Sequence, residues 1–329
     1  MNDLISIIVP VHNCEKTIER CLLSITKQTY SNLEILLIEN ESTDHSLEIC
    51  KQWAAADSRI KIFNSSVGVS NARNKGLEQM SGTYFGFVDA DDYIELTMYE
   101  KLHTSIVAEK TDMSFCRIYN FFEDGSIHES AETKLEELIK EKNISYWYRE
   151  GEQGVRRVIW RTLFKREVYG SIRFDTRIFF GEDRDYLQNC YMLSSNCSLV
   201  NEYLYYYYCN YYIPNYTAKK YYKERRIFES RSILTCNCVN FLSHHGFVDL
   251  AKEQRFKALL LCIEDAAVVD KDYRGALKKL FTDPFWNETN SKQCYKAYLQ
   301  FHGGFRERVK AFLVRCHLYY VFRIVKNGK

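Results

Sequence analysis

The stretch Ser81–Ile94, SGTYFGFVDADDYI, decides how this chain is read. Tyr84 to Val88 is a short apolar and aromatic run, and it stops abruptly on Asp89, Ala90, Asp91 and Asp92. A short apolar run between polar residues reads as a buried strand, and such a strand has no structural use for a cluster of carboxylates at its mouth. A cation at the strand end is therefore expected. Residues i and i+2 of an extended chain point the same way, so Asp89 and Asp91 together can face one hard ion, Mg2+ or Mn2+, which takes oxygen ligands and bridges to substrate phosphates. The plain structural alternative is a strand followed by a helix that Asp91 or Asp92 caps, running from Tyr93 onward.

N-terminal to this stretch the pattern alternates. Leu4 to Val9 is an apolar, β-branched strand stopped by Pro10-Val11-His12-Asn13, and Ile18, Leu22 and Ile25 give the following segment a helical stripe. Leu33 to Ile38 is a second strand, apolar apart from Glu34, and Glu39-Asn40-Glu41-Ser42 ends it. Ser46 to Ala55 reads as a helix, Arg59 to Phe63 as a third strand, and Asn71 to Met80 as a helix with Arg73 near its start. This βαβα order implies a mostly parallel sheet with covered faces, because parallel neighbours need crossover connections. Ligands in such sheets sit outside the carboxyl ends of the strands. That rule gathers His12, Glu39, Asn40 and Asp89 to Asp91 along one edge, with Arg73 in reach to offset phosphate charge. Taken singly, Asn13 and Ser42 are also ordinary helix caps and Arg73 an ordinary solvated residue.

The chain has 329 residues, 46% hydrophobic and 27% charged, with a formal net charge of +2. It is long enough for one large domain or a domain with an appended helical module. The near-neutral balance argues against a strongly basic nucleic-acid binder. No apolar run approaches the length of a membrane span. The N-terminus moves into a strand without the basic start of an export signal. The twelve cysteines lack paired metal-ligand spacing and read as reduced thiols, which points to a cytoplasmic protein.

Three segments, SIIVPVHN, LEILLIENESTD and GVSNARNKGLEQMSGTYFGFVDADD, resemble in order and spacing the N-terminal half of family 2 glycosyltransferases with the GT-A fold. The resemblance implies an α/β nucleotide-diphospho-sugar transferase fold: residues 1–215 as the glycosyltransferase domain, with a donor-binding half to 110 and an acceptor half to 215, and 216–329 as a helical extension. Carried over residue by residue, it places Pro10, Val11, His12, Asn13, Glu39, Asn40 and Ser42 at the nucleoside and Arg73 at the pyrophosphate or base. It places Asp89, Ala90 and Asp91 at ribose and metal, with Asp91 the more direct ligand of Mn2+ or Mg2+. One departure stands out: the family has D-D-G-S after its second strand, and this chain has Glu39-Asn40-Glu41-Ser42. An Asn carbonyl still accepts a base N–H, but the choice of base is less defined.

Further on, Asp112 to Phe122 reads as a strand, Lys134 to Lys142 as a charged helix, and Val158 to Phe164 as an amphipathic segment whose Trp160 suits either the core or a sugar-stacking acceptor site. Glu182 and Asp183 follow a Phe-Phe-Gly turn and open a helical pattern through Tyr186, Leu187 and Tyr191. In the family an acidic pair at this distance supplies the general base, so the resemblance assigns Asp183 that role and Glu182 an assisting one; acids at a helix start also simply favour its dipole. Val200 to Tyr212 is a tyrosine-rich strand. Phe305 to Lys329 carries seven Lys or Arg against one acid, interleaved with aromatic residues, and fits a helix lying on an anionic membrane surface as well as one packed on the core.

The expectation is an inverting glycosyltransferase that moves a sugar from a nucleotide-diphospho-sugar donor to a hydroxyl of a glycan or lipid-linked acceptor in surface polysaccharide synthesis. It would be cytoplasmic or peripheral at the inner membrane face. The alternatives are a nucleotide-sugar-binding protein without turnover and a nucleotidyltransferase. The latter expects a glycine-rich loop after strand 1, and His12-Asn13-Cys14-Glu15 holds no glycine.

Overall fold

The computed structural model describes residues 3–130, 132, 158–194, 196–209, 226–244, 246–269 and 292–301, with isolated positions between 286 and 314. Two compact units emerge, Met1–Pro214 and Asn215–Lys329. The expected helix over Lys134–Lys142, residues 210–212 of the tyrosine-rich run and most of Phe305–Lys329 lie outside the described residues.

The first unit is built on a sheet whose parallel half is β3 (Ile60–Asn64), β2 (Leu33–Glu39), β1 (Ile5–Val11) and β4 (Tyr84–Phe87), side by side in that order. Helices α1 (Ile18–Thr26), α2 (Ser46–Ala56) and α3 (Val69–Gln79) make the crossovers. β1 and β2 are buried almost throughout, as strands covered on both faces must be, which is why they read as continuous apolar runs rather than alternating ones. The register Val11↔Glu39 and Ile8↔Phe87 brings the chain after β1, β2 and β4 out at one edge.

The sheet continues through β8 (Thr162–Lys165), antiparallel to β4, then β6 (Met113–Phe122), β9 (Cys197–Cys209) and the two-residue β5 (Tyr93–Ile94), with β7 (Ile127–Glu129) paired to β6. Two further helices complete the site region: α4 (Met98–Glu109) and, after the short α5 (Arg166–Tyr169), α6 (Glu182–Leu193). The alternative of a helix from Tyr93 is therefore overturned. Tyr93 and Ile94 pair with Tyr206 and Tyr205 of β9, and the helix begins only at Met98.

Helix α3 lies so close to β1 that a Cβ on Gly76 would come within 2.3 Å of the Ile8 side chain. Its buried face comprises Ser70, Ala72, Arg73, Gly76 and Leu77. Arg73 is thus on the sheet-facing stripe, not the solvent-facing one.

Glu34, the polar exception in β2, sits at the opposite end of the sheet and is buried. Its carboxylate accepts from the Ser6 hydroxyl (2.5 Å) and the Ser81 and Gly82 amides (2.5 and 3.2 Å), and pairs with Lys61 (3.1 Å). Burial pushes this carboxyl up, but the donors outweigh burial and hold it below the usual range. A lowered folded pKa contributes stability that is present above the unfolded value and lost as pH falls through the folded one. Glu34→Gln is therefore expected to cost about 1–3 kcal/mol at pH 7, a gap that narrows near pH 3. Urea unfolding at the two pH values measures it, and an equal cost at both would contradict the charge-based account.

The second unit contains α7 (Arg226–His244), α8 (Val248–Val269) and α9 (Lys292–Phe301). Phe256, Leu259, Ile263, Trp286, Tyr298 and Val314 are among the residues of its core. Among the described residues no helix is long and apolar enough to cross a membrane, and the described cysteines are free thiols.

Candidate functional site

The site forms where the chain leaves β1, β2 and β4 and meets the start of α6. After Phe87 the backbone does not remain extended: the Asp92 amide donates to the Asp89 carbonyl at 3.0 Å, closing a turn over Asp89–Asp92. The extended-strand argument for Asp89 and Asp91 is therefore corrected: the two carboxylates are brought near one another by a turn, not by the alternation of a strand. Each of the three acids has its own surroundings. The Asp92 side chain is buried and fastens the turn to β9, accepting from the Tyr205 hydroxyl (2.7 Å) and the Tyr208 amide (2.7 Å). Its role as a helix cap is overturned. Asp89 accepts from Arg73, and its amide donates to the Tyr205 hydroxyl (3.2 Å). Asp91 is exposed and has no ion-pair partner among the described residues.

Arg73 is the hub. Its Nη2 donates to Asp89 (3.0 Å) and its Nη1 to both Glu182 (2.8 Å) and Asp183 (2.8 Å), with only 3% of the side chain exposed. The planar fork of a guanidinium makes this possible, because its donors leave in fixed, divergent directions. Burial alone would favour neutral Arg73, but Asp183, Asp89 and Glu182 overcompensate and hold it protonated. Arg73, expected at the pyrophosphate or base, is buried and already paired with three carboxylates.

Glu182 and Asp183 occupy the first turn of α6, which Gly181 enters with φ of 85°, a left-handed value that glycine adopts without a Cβ penalty. The approach to this turn is clamped to α3. The Asn74 side-chain amide exchanges two hydrogen bonds with the Phe174 backbone (2.9 and 2.8 Å), and Phe174 stacks on Tyr186 at 4.2 Å between ring centroids. Asp183 keeps 14% of its side chain accessible, so its hydration is reduced but not lost. Its carboxyl is pushed up, first by that burial and then by Glu182 and Asp89, while Arg73 opposes the shift. The direction follows from the charges alone: three carboxylates, those of Asp89, Glu182 and Asp183, share a single guanidinium.

Asp91 is pushed up to about 6 by crowding of protein atoms around it and next by Asp89, although its side chain still reaches solvent. Surplus negative charge of this kind suits a divalent cation. Among the described residues no group of three or more His, Cys, Asp or Glu side chains is arranged to hold one unaided. Mg2+ and Mn2+ do not need such a cage, since one or two carboxylates plus substrate phosphates suffice for them. Asp91, with the free oxygen of Asp89, fits that donor set.

The loops after β1 and β2 are held mainly by their own side chains. Asn40 is buried, donating to the Ser65 hydroxyl (2.8 Å) and the Ser66 carbonyl, and accepting from the Gly68 amide (2.9 Å). Glu39 accepts from the Glu41 (3.1 Å) and Ser42 (2.5 Å) amides. Both were expected to contact a nucleoside; in the structure their side chains are buried and bond within the loops. Val11 and Ala90 are core, and Pro10 is half-buried. His12 and Asn13 are exposed at the edge, the imidazole fixed by Nδ1 donating to the Asn40 carbonyl (2.7 Å). The Ser42 hydroxyl accepts from the Asn13 amide (3.3 Å), joining the two loops. Trp160 is corrected from acceptor contact to core: it is 3% exposed and stacks on Tyr205 (4.2 Å) and Tyr207 (5.2 Å).

Glu41 has φ of 58°, in the left-handed region that a residue with a Cβ enters only at a cost. Its exposed side chain makes no use of the position in any described contact. Glu41→Gly is expected to raise stability by about 0.5–1 kcal/mol, the relief of strain less the greater freedom of glycine in the unfolded chain. A urea titration checks it; a loss of stability would mean that Glu41 is held there by something other than backbone need.

Sequence reasoning missed Tyr205 and Arg20, which hold the acidic turn from β9 and α1. No local pattern marks them. The burial of Arg73 had a signal, because Arg73, Leu77 and Met80 fall on one helical stripe.

Residues 6–190 match the model of glycosyl transferase family 2, and the chain belongs to that family. It is 36% identical over 214 residues to the glycosyltransferase GlyA of Streptococcus pneumoniae, a match covering 63% of this chain but only 31% of GlyA. It is 29% identical over 258 residues to the uncharacterized glycosyltransferase EpsJ of Bacillus subtilis, covering 77% of this chain and 74% of that one. In three dimensions it is similar to residues 1–349 of S. aureus TarS, solved with UDP-GlcNAc, with a TM-score of 0.59 at 16% identity over 92% of this chain and 91% of that one. The mannosyltransferase PcManGT of Pyrobaculum calidifontis, solved with GDP-Man and Mn2+, gives 0.50 at 14% identity, over 96% and 88% of the two chains. The architecture is the GT-A glycosyltransferase fold.

Proposed function

We propose that this chain transfers a sugar, with inversion, from a nucleotide-diphospho-sugar to a hydroxyl of a glycan or lipid-linked acceptor in bacterial surface polysaccharide synthesis. The observation that carries the reading is the junction at Arg73, which draws the end of β4 and the start of α6 together and leaves Asp91 open beside them. His12, Asn13 and the loops after β1 and β2 form the nucleoside side. Asp183 accepts the proton of the acceptor hydroxyl as it attacks the anomeric carbon, and its raised affinity for a proton suits a general base. Glu182 and Arg73 hold that carboxylate in position. Mn2+ or Mg2+ at Asp91 and Asp89 would neutralise the departing diphosphate.

The bacterial setting is supported by the relatives GlyA and EpsJ, and a nucleotide-sugar donor by the ligands in the TarS and PcManGT structures. The test is release of nucleotide from a panel of UDP-, GDP-, CDP- and dTDP-sugars with Mn2+ or with EDTA, alongside donor binding by calorimetry. Metal-dependent release from one donor, lost in Asp91→Ala, is expected. Binding without release in the presence of candidate glycan acceptors would favour a binding protein without turnover. Absence of any nucleotide binding would overturn the donor site.

A further inference from the structure

The acidic turn Asp89–Asp92 is held from three sides, and one of the three is unlike the others. Asp89 is held through its carboxylate by Arg73, and Asp92 through its carboxylate by Tyr205 and Tyr208. Asp91 is held through its backbone: Arg20 of α1 donates from Nη2 to the Asp91 carbonyl at 2.6 Å. Among the described residues the Asp91 carboxylate accepts only from its own backbone amide, which leaves it open to a ligand.

The position of Arg20 is itself determined. Its guanidinium carbon lies 4.8 Å from the ring centre of Phe121, 5.1 Å from Tyr93 and 5.7 Å from Tyr208, so β6, β5 and β9 each contribute a ring. Its Nε is buried and has no hydrogen-bond partner among the described residues. An arginine on a helix surface could keep its head in water at little cost; this one gives up a hydrogen bond to stay among the rings. Cation–π attraction offsets that loss and is stronger for desolvated cations. The rings therefore hold the guanidinium, and the guanidinium holds the carbonyl.

We infer that Arg20 is a positioning residue for the metal site, fixing the Asp91 backbone from an aromatic cradle so that the Asp91 carboxylate is preorganised for a divalent cation. The inference rests on the glycosyltransferase reading, because it needs a metal at Asp91. Two effects compete at Arg20. Its charge repels a nearby cation, while its hydrogen bond restrains the turn that carries the ligand. At 2.6 Å to the carbonyl and flanked by three rings that attract its charge, restraint outweighs repulsion.

The experiment measures Mn2+ binding to the full chain by the electron paramagnetic resonance signal of free Mn2+, with UDP or GDP present, for wild type, Arg20→Met, Arg20→Lys and Phe121→Leu. Thermal melting is recorded in parallel. Partners that orient a metal ligand from outside its coordination sphere are worth about 10- to 100-fold in metal affinity. Arg20→Met is expected to weaken Mn2+ binding about tenfold or more with a folded chain, and Arg20→Lys, which keeps a donor for the carbonyl, to recover part of it. Phe121→Leu leaves Arg20 and the turn in place and is expected to weaken binding by a smaller factor; it carries the test if Arg20→Met fails to fold. Mn2+ affinity that is unchanged in Arg20→Met and Phe121→Leu, or that rises in Arg20→Met because repulsion is relieved, overturns the inference while leaving the glycosyltransferase reading intact. A wild-type chain that binds no Mn2+ with any nucleotide overturns the metal reading and this inference with it.

Discussion

Arg73→Met is expected to lower the melting temperature by roughly 10 °C and to reduce turnover by at least about a hundredfold. The stability loss follows from charge. Methionine fills much of the volume but leaves Asp89, Glu182 and Asp183 facing one another without a cation, and breaking a buried ion pair from one side costs about 3–5 kcal/mol. At about 2–4 °C per kcal/mol for a unit of this size, the shift in melting temperature follows. Activity falls further because the acidic turn and the start of α6 lose their common anchor.

The pH dependence has a definite sign. In the variant the clustered carboxyls take up protons more readily folded than unfolded, so their stability contribution is present at low pH and lost as pH rises through their raised values. The deficit against wild type should thus be smallest near pH 4 and grow toward pH 8. Arg73→Lys keeps the charge but not the fork and cannot reach all three partners at bonding distance, so it should fall between. Melting curves of the three proteins across that range decide the matter. A deficit independent of pH would mean that packing against Phe174, whose ring centre lies 5.5 Å from the guanidinium carbon, carries the effect instead.

Asp183→Asn is expected to have the opposite profile: near-wild-type stability with turnover reduced about 10²- to 10⁴-fold, the range that a positioned general base supplies. Asparagine keeps the shape and can still accept from Arg73 through its carbonyl. It also removes one of three negative charges competing for one guanidinium, so the folded chain gains in charge balance what it loses in hydrogen-bond strength. Donor affinity should be unchanged, because Asp183 acts on the acceptor hydroxyl and not on the nucleotide. Nucleotide release with calorimetry of donor binding separates the two quantities. Turnover within tenfold of wild type would remove Asp183 from the base role and direct attention to Glu182, which shares the same Arg73 nitrogen.

Much of the fold was legible because it is local in origin. The apolar runs of β1 and β2, the helical stripes of α1 and α3 and the polar stop after each strand are patterns of a few residues, and the crossover rule turns them into a parallel sheet with one ligand edge. β5, β7 and β8 were not legible. β5 has two residues, and β8 begins within the segment from Val158 to Phe164, where one side of an amphipathic segment looks alike in a strand and in a short helix.

The same division holds at the site. By itself the sequence determined that His12, Glu39, Asn40 and Asp89 to Asp91 arrive at one edge, because each follows the end of a strand, whereas Asp183 was assigned by family resemblance. Only the tertiary structure decided what each does there. Asn40 and Glu39 turn inward because the loops they head have unpaired backbone amides to satisfy, and Trp160 turns inward because Tyr205 and Tyr207 offer it stacked rings. Arg73 leaves the solvent because carboxylates 16, 109 and 110 positions away in sequence converge on its stripe of α3. Such choices are set by free energies of pairing between groups distant along the chain, and no window of neighbouring residues contains them.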